Sequence, residues 1–422
     1  MRKRLTAALL SMGLLTVLGG CTRATIPIIK ESPGEKLALS VLAGQSTSDA
    51  GMEDLLDEWM AQRYPDVRLD WECVDWGESF DSQLKSHFAT GDVPDIIVGK
   101  AQDAQTYWNT GNLAPIPDTC TQNIKPTALD AVTAEGTTFG LPVSEWYQGV
   151  IYNKALFAAC GVAVPKTPRE LESVCVALLA QGITPFASHY NEAWSLGNTN
   201  MQLMVNEFLG DTPDWGDQFR AGKRNYSDDP AIRRCMENSR TILENSWDDA
   251  LRIDQFEADK RFANGEAAMY LTGSWSLQLS NQYSEDDNFG IFPYPNAAGD
   301  AKLLRETNVT FMMSSRTPHA ELITRIFQDF LSDSDIQREI LDYTQTQSVM
   351  EGFQSLYHSC IQEDVEAYER AGQVVDVSIG NRQMVWFFQN AVAAQQLSWL
   401  RGEASLEDVL AFADENRAES AD

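Results

Sequence analysis

The chain holds 422 residues with a net charge of −29, from 61 acidic and 32 basic side chains. So acidic a surface repels nucleic acid and anionic lipid headgroups, which excludes both as partners. The length exceeds what one hydrophobic core usually serves, so two lobes are expected.

The chain opens with Arg2, Lys3 and Arg4, an apolar run over residues 5–18, then Gly19, Gly20 and Cys21. A basic start, a short apolar core and small residues before a break form a secretion signal, and the run is too short to span a bilayer comfortably. Leu18-Gly19-Gly20-Cys21 resembles a bacterial lipobox, in which the cysteine thiol is acylated and the chain is cut just before it. Cys21 is therefore the expected lipidation (palmitate) site, with residues 1–20 as signal peptide and 21–35 as tether. An ordinary signal peptide with Cys21 incidental is the bland alternative. The first 20 residues carry three basic side chains and no acid, so the remainder sums to −32. No second apolar run of spanning length follows, so the expected place is the extracytoplasmic face of the cell membrane, held by lipid alone. Six further cysteines, Cys73, Cys120, Cys160, Cys175, Cys235 and Cys360, contain no Cys-x-x-Cys pair. An even count outside the cell invites disulfides, but Cys73 and Cys175 fall on apolar faces, and use as small core residues is the preferred reading.

Residues 37–43 read as a first strand, and Met52, Leu55, Leu56, Trp59 and Met60 then recur at helical spacing up to Tyr64-Pro65. Val67, Leu69, Trp71 and Cys73 alternate as a second strand; Phe80, Leu84 and Phe88 mark a helix closed by Gly91, and Ile96-Ile97-Val98 is a short buried strand. Strand, helix, strand, helix, strand is the signature of a parallel sheet with covering helices. Val150-Ile151-Tyr152 starts the middle of the chain as a strand. Thr167-Pro168-Arg169-Glu170 combines a capping threonine, a proline at the first helical position and a glutamate at the third. Leu171, Val174, Cys175, Leu178 and Leu179 form that helix's apolar face, and Gly182 follows it. From Thr317 onward the chain reads as mostly helical, including residues 385–400.

Tyr64-Pro65-Asp66-Val67, Gly91-Asp92-Val93-Pro94-Asp95-Ile96-Ile97 and Gly111-Asn112-Leu113-Ala114-Pro115-Ile116 resemble the first lobe of the sugar-binding lipoproteins of bacterial ABC importers, extracellular solute-binding protein family 1, which are maltose-binding-protein-like. Gly140-Leu141-Pro142-Val143-Ser144, Tyr152-Asn153-Lys154 and Pro165-Lys166-Thr167-Pro168 are similar to the start of their second lobe. Phe262-Ala263-Asn264-Gly265-Glu266-Ala267-Ala268-Met269, Gly273-Ser274-Trp275, Phe289-Gly290-Ile291-Phe292-Pro293 and Gly402-Glu403-Ala404-Ser405-Leu406 continue the likeness in order. The resemblance implies a two-lobed α/β periplasmic-binding-protein-like fold, each lobe a mostly parallel sheet flanked by helices, with a ligand cleft and hinge between them. The expected lobes are residues 36–146 plus 309–350 and residues 147–308 plus 351–422, with crossings near 143–150, 307–310 and 345–352. It also implies a mono- or oligosaccharide ligand, ABC permease subunits as partners and action as a monomer.

In an open α/β sheet, ligands sit beyond the carboxyl ends of strands, which directs Gln45, Ser46, Gly99, Lys100 and Asp103 toward a cleft. A sugar ring has an apolar C–H face that tryptophan covers and a hydroxyl rim that carboxylates and amides satisfy. Asp75-Trp76, Glu145-Trp146-Tyr147, Glu192-Ala193-Trp194 and Gly273-Ser274-Trp275 fit, each in a loop-like stretch. By resemblance, Glu145 and Trp146 face the cleft where the chain enters the second lobe, Glu192 and Trp194 follow a strand of that lobe, and Trp275 is a stacking platform. Asn308, at the second crossing, completes the candidate ligand set. Trp59 and Trp71 keep apolar register, and Trp386 lies on a helix beside Phe387 and Phe388; core is the reading for all three.

A surface glycan hydrolase or adhesin is the competing reading. Two carboxylates suffice for glycoside hydrolysis, yet 61 acids make such a pair uninformative without geometry. His87, His189, His319 and His358 lack metal-ligand spacing, and the serine elbow, P-loop and dinucleotide fingerprints are absent, so no catalytic residue, cofactor or metal is expected. For the anchor, Cys21→Ser should leave uncleaved precursor or shed protein into the medium. Unchanged processing and membrane recovery on fractionation would contradict the lipobox reading.

Overall fold

The computed structural model describes residues 36–45, 51–277, 288–344, 346–353 and 360–421. Cys21, the signal and tether segments and Ser46 lie outside these residues, and of Gln45 only the backbone is described. One sheet contains β1 (Leu37–Gln45), β2 (Val67–Asp75), β3 (Ile96–Lys100), β6 (Leu141–Pro142) and β12 (Val309–Met313), in the order β2-β1-β3-β12-β6. Between β3 and β6, β4 (Thr133–Ala134) and β5 (Thr137–Thr138) form a hairpin. The second sheet contains β7 (Ser144–Asn153), β8 (Thr184–Ala187), β9 (Ala267–Gly273), β10 (Phe289–Phe292), β11 (Leu303–Thr307), β13 (Gln347–Ser348) and β14 (Val374–Asp376).

Each sheet is the floor of its own core. Around the first, Leu39, Val98, Phe311, Phe327 and Phe330 pack together, the last two from the helix Ala320–Ser332. Around the second, Leu178, Phe186, Phe219 and Leu410 belong to another cluster. Full burial of such a side chain contributes about 1.5–3 kcal/mol. The helix Pro168–Ala180 begins as its sequence dictates: Thr167 Oγ1 accepts from the Glu170 N–H at 3.3 Å, and Leu171, Val174, Cys175 and Leu178 turn inward. Gly91 closes the helix Glu78–Thr90 at φ +77°, a conformation costly for any residue with a Cβ.

The two-lobed α/β fold has mixed rather than mostly parallel sheets. β2, β1 and β3 are parallel, but β12 runs antiparallel to β3. In the second sheet β7 is antiparallel to β9, β10, β11 and β13, while β8–β9 and β11–β14 are parallel. The cause is topological. The chain leaves the first sheet between Pro142 and Ser144 and returns between Thr307 and Val309 through the same neck, so the outgoing and returning strands must run opposite ways. Val143 N–H donates to Val309 O, and Asn308 N–H to Ser144 O, each at 2.8 Å. β13 lies on the other side of β7, with Gln347 opposite Glu145, while Val349 O accepts from Lys125 N–H at 2.8 Å.

The expectation for Cys73 needs correcting: Cys120, Cys175 and Cys235 are buried, but Cys73 is exposed, because β2 is the edge strand and its alternate face meets solvent. All six described thiols are free. Farther from the neck, Arg382 in the helix Ser378–Gln383 donates to Asp130 O and Oδ2, both at 2.7 Å. Lys85 Nζ sits 3.5 Å from the ring centre of Phe387, so the C-terminal helices also touch the first lobe.

At the neck, Glu145 is 0% exposed. Its Oε1 accepts from Lys125 Nζ, and Arg305 Nε lies 3.8 Å from Oε2 and also 3.8 Å from Asp376 Oδ2. Burial pushes the Glu145 carboxyl up from its ordinary range, against the pull of Lys125 and Arg305. Removing one member of a buried pair strands the other charge. Lys125→Ala should therefore destabilise the protein by roughly 2–4 kcal/mol, scaled down for a lysine that is partly in water. Adding Glu145→Gln should recover part of the loss in denaturant melts. A single variant as stable as the parent would remove this pair from the account.

Candidate functional site

Strand alternation decides which residues near the neck can meet a ligand. In β7, Glu145 and Tyr147 share one face, where Tyr147 Oη donates to Glu369 Oε1 at 2.6 Å and Arg305 is the cross-strand partner of Tyr147. Trp146 and Gln148 point the other way, with Glu306 opposite Trp146 in register. Glu145 and Trp146 therefore cannot both face one cleft. The expectation of a loop there is replaced by a ten-residue strand.

Trp146 is 4% exposed and meets the edge of half-buried Trp275 with ring centres 6.1 Å apart at 89°. Trp275 follows β9 in a short turn and lies flat over Gly273, where a Cβ would come within 1.9 Å of its Cζ3. The turn is pinned by Ser274 Oγ, which accepts from Tyr147 N–H at 3.3 Å. The first lobe repeats the device: Trp76, just after β2, covers Gly44 of β1, with the same 1.9 Å approach to a would-be Cβ. Trp76 also packs on Phe80 at 5.0 Å, and Lys100 Nζ stands 5.1 Å from its ring centre. Lys100, at the end of β3, pulls on half-buried Glu306 of the second sheet, whose Oε2 accepts from Gln148 Nε2. Desolvation nonetheless raises the Glu306 carboxyl above its usual range. Trp76 with Lys100 on the first lobe, and Trp146 with Trp275 on the second, thus form two aromatic corners, with Glu306 opposite Trp146 in register.

Trp194 opens the helix Ala193–Met204, its Nε1 donating to exposed Glu192 at 3.0 Å. Its ring lies 5.2 Å from His189, whose pKa burial lowers to about 3, so the imidazole is neutral. Asp75 is exposed at the end of β2. The remaining expected ligand residues serve the framework. Asp103 Oδ2 caps the helix Ala101–Tyr107 by accepting from Lys100 N–H at 2.7 Å. Buried Asn308 holds the returning crossing through its backbone, and Glu145 sits in the ion cluster of the neck.

Glu306 carries no local signal in the sequence, and the core position expected for Trp386 is met only in part. Phe388 is buried, but Trp386 and Phe387 are only half-buried, because three consecutive aromatics span more than one face of a helix. Phe387 packs against the first lobe, and Trp386 lies near Gly197, one turn after Trp194.

Residues 43–337 match the family of bacterial extracellular solute-binding proteins. The chain belongs to that family. It is 23% identical over 321 residues to the multiple sugar-binding protein of Streptococcus mutans, covering 73% of this chain and 74% of the relative. An ABC transporter extracellular-binding protein of Pyrococcus horikoshii is 25% identical over 278 residues, or 63% of this chain and 61% of that one. Among solved structures, a chitin oligosaccharide binding protein superposes with a TM-score of 0.80 at 21% identity, covering 92% of this chain and all of that one. A Bacillus licheniformis sugar transporter protein in complex with stachyose gives 0.76 at 14% identity, covering 90% and 98%. The neighbours are two-lobed, as this solute-binding chain is. No helix among the described residues is long and apolar enough to cross a membrane.

Behind Trp275, buried Asp259 on the helix Gln255–Ala263 faces the hydroxyls of Tyr270 and Ser276, and Gln255 Nε2 donates to it at 3.3 Å. Desolvation pushes its pKa up to about 7. Because the folded value lies above the unfolded one of about 3.9, its contribution is complete below pH ~4 and is lost as pH rises to ~7. Asp259→Asn should therefore lose less melting temperature than the parent between pH 5 and pH 8. Parallel curves for the two proteins would show that this carboxyl does not titrate in the window.

Proposed function

We propose that the chain captures a sugar or oligosaccharide between its lobes and delivers it to an ABC permease, acting as a binding protein and not as an enzyme. The observation that supports the reading is the pair of tryptophans laid over strand-end glycines in both sheets, Trp76 on Gly44 with Lys100 beside it, and Trp275 on Gly273 against Trp146, with Glu306 opposite Trp146 in register. Aromatic faces cover the apolar side of a sugar, while a lysine and a carboxylate meet its hydroxyls. The names of its relatives support this: a multiple sugar-binding protein and an ABC transporter extracellular-binding protein by sequence, and proteins of chitin oligosaccharides and stachyose by fold. We assign ligand contact to Trp76, Trp146, Trp194, Trp275, Lys100 and Glu306, with Asp75 and Glu192 at the rim, and a framework role to Asp103, Glu145 and Asn308; Gln45 stays a candidate from its place at the end of β1. Residues 36–146 with 309–350, and 147–308 with 351–422, would move as two bodies about the neck, a familiar mode of closure around ligands. Lipid on Cys21 would tether the protein outside the membrane as a monomer.

A ligand that binds only the folded state raises its melting temperature. Screening glucose, galactose, N-acetylglucosamine, raffinose, stachyose and the chitin di- to tetrasaccharides should yield at least one binder, recovered unchanged after long incubation. Trp275→Ala and Trp194→Ala should each weaken that binder by about 1–3 kcal/mol, roughly five- to a hundred-fold, with little change in unliganded melting. A panel without a binder sinks the sugar reading. Full affinity in both variants removes these two rings from the site.

A further inference from the structure

Alternation along β9 puts Tyr270 and Thr272 on one face of the second sheet, and the helix Gln255–Ala263 packs there through Ala258 and Phe262. Asp259 of that helix is 6% exposed. The groups acting on its carboxyl are Ser276 and Tyr270 from β9 and the turn after it, and Gln255 and Asp254 from the start of its own helix. The basic residues of the helix are engaged elsewhere. Arg261 pairs with Asp249 and with Glu257 at 2.8 Å each, and Lys260 with Glu257 at 3.5 Å. His189, two residues beyond β8, is neutral. Hydroxyls and an amide therefore meet an ionised Asp259, and its charged neighbour Asp254 repels it.

This carboxyl stands behind two tryptophans at once. Ser276 closes the turn Ser274–Ser276 that carries Trp275, and its Oγ lies 3.2 Å from Thr272 Oγ1. Tyr270 meets the edge of the His189 ring with centres 6.0 Å apart at 85°, and His189 packs on Trp194 at 5.2 Å. His189 Nε2 is 3.3 Å from the hydroxyl of Ser195, the residue after Trp194. Asp259 Oδ1, Tyr270 Oη and His189 Nδ1 are buried without a hydrogen-bond partner among the described residues, so this cluster is not locked into one arrangement of protons.

We propose that Asp259 is a positioning residue for both tryptophans, acting through Ser276 on Trp275 and through Tyr270 and His189 on Trp194, and that ligand capture takes up a proton at its carboxyl. The inference rests on the sugar-capture reading above. A buried charge still draws stabilisation from water beyond its immediate neighbours. A sugar laid on the two rings replaces that water with a neutral body, which costs the charged carboxylate more than the neutral acid. Linkage is reciprocal: the proton tightens the sugar by the factor by which the sugar tightens the proton. Desolvation already holds this carboxyl at about 7, so affinity is full below that pH and falls as pH rises through it.

Calorimetry of the intact mature chain tests this with the tightest neutral sugar of the screen, which has no titrating group of its own in the range. Affinity should fall about three- to tenfold from pH 5.5 to pH 8.5. Titrations at pH 7 in buffers of different ionisation enthalpy should show fractional proton uptake. Asp259→Asn, which keeps the shape and cannot ionise, should flatten the profile and abolish the uptake. Ser276→Ala removes a hydroxyl that favours the charged carboxyl, so the midpoint should move to higher pH. Unliganded melts identify a variant that fails to fold, and the other then decides. A merely structural role would lower melting and affinity while leaving the pH profile in place. A flat parent profile, or one unchanged in a folded Asp259→Asn or Ser276→Ala variant, would overturn the proposal; the unchanged profile would pass the linkage to another carboxyl such as Glu306. A panel without a binder would overturn the capture reading and this inference with it.

Discussion

A carboxylate with no exposure, set at the start of the strand where the chain changes lobes, is the constraint on which the rest depends. Glu145 lies between β11 and β13, so all three chain passages converge on its backbone, and its side chain reaches Lys125 of the first lobe and Arg305 of the second. A charge in that place is tolerated only with its counter-ions beside it. Register therefore matters at the neck: a slip of one residue would send Glu145 to the cleft and Trp146 into the ion cluster. The same alternation puts Trp146 and Glu306 on the sheet face opposite Glu145.

The two lobes then solve one problem twice. A glycine near or at the end of a central strand gives up its Cβ so that a tryptophan just beyond the sheet can lie flat over the backbone, Trp76 on Gly44 and Trp275 on Gly273. A ring laid this way keeps one face packed on the backbone of its sheet. Lys100 stands beside the first of these rings, and Glu306, whose carboxyl desolvation raises above its usual range, lies opposite Trp146 in register. Basic side chains are scarce in so acidic a chain, yet Lys100, Lys125, Arg305 and Arg382 all sit where the lobes meet.

Local signals in the sequence were read most easily where one residue type has one use. Thr167 with Pro168 starts a helix, and Gly91 ends one. The ordered short motifs pointed to the family from which the two-lobed α/β fold follows. What could not be read depends on tertiary neighbours. Ser144-Glu145-Trp146-Tyr147-Gln148 shows no apolar alternation because both faces of β7 are buried, so it passed for a loop. Cys73 passed for core because edge position is a property of the sheet and not of the strand. Glu306 had no local mark at all; only its register opposite Trp146 gives it meaning.

The central claim is that a sugar lies between the lobes with a ring face against Trp275 and its hydroxyls toward Lys100 and Glu306. A crystal structure of the protein grown with the tightest-binding sugar of the screen tests this most directly. The account predicts sugar density enclosed by both lobes, stacked on Trp275 and within hydrogen-bond reach of Glu306 or Lys100. Density on the outer surface of a lobe, with Trp146 and Trp275 untouched, would contradict it.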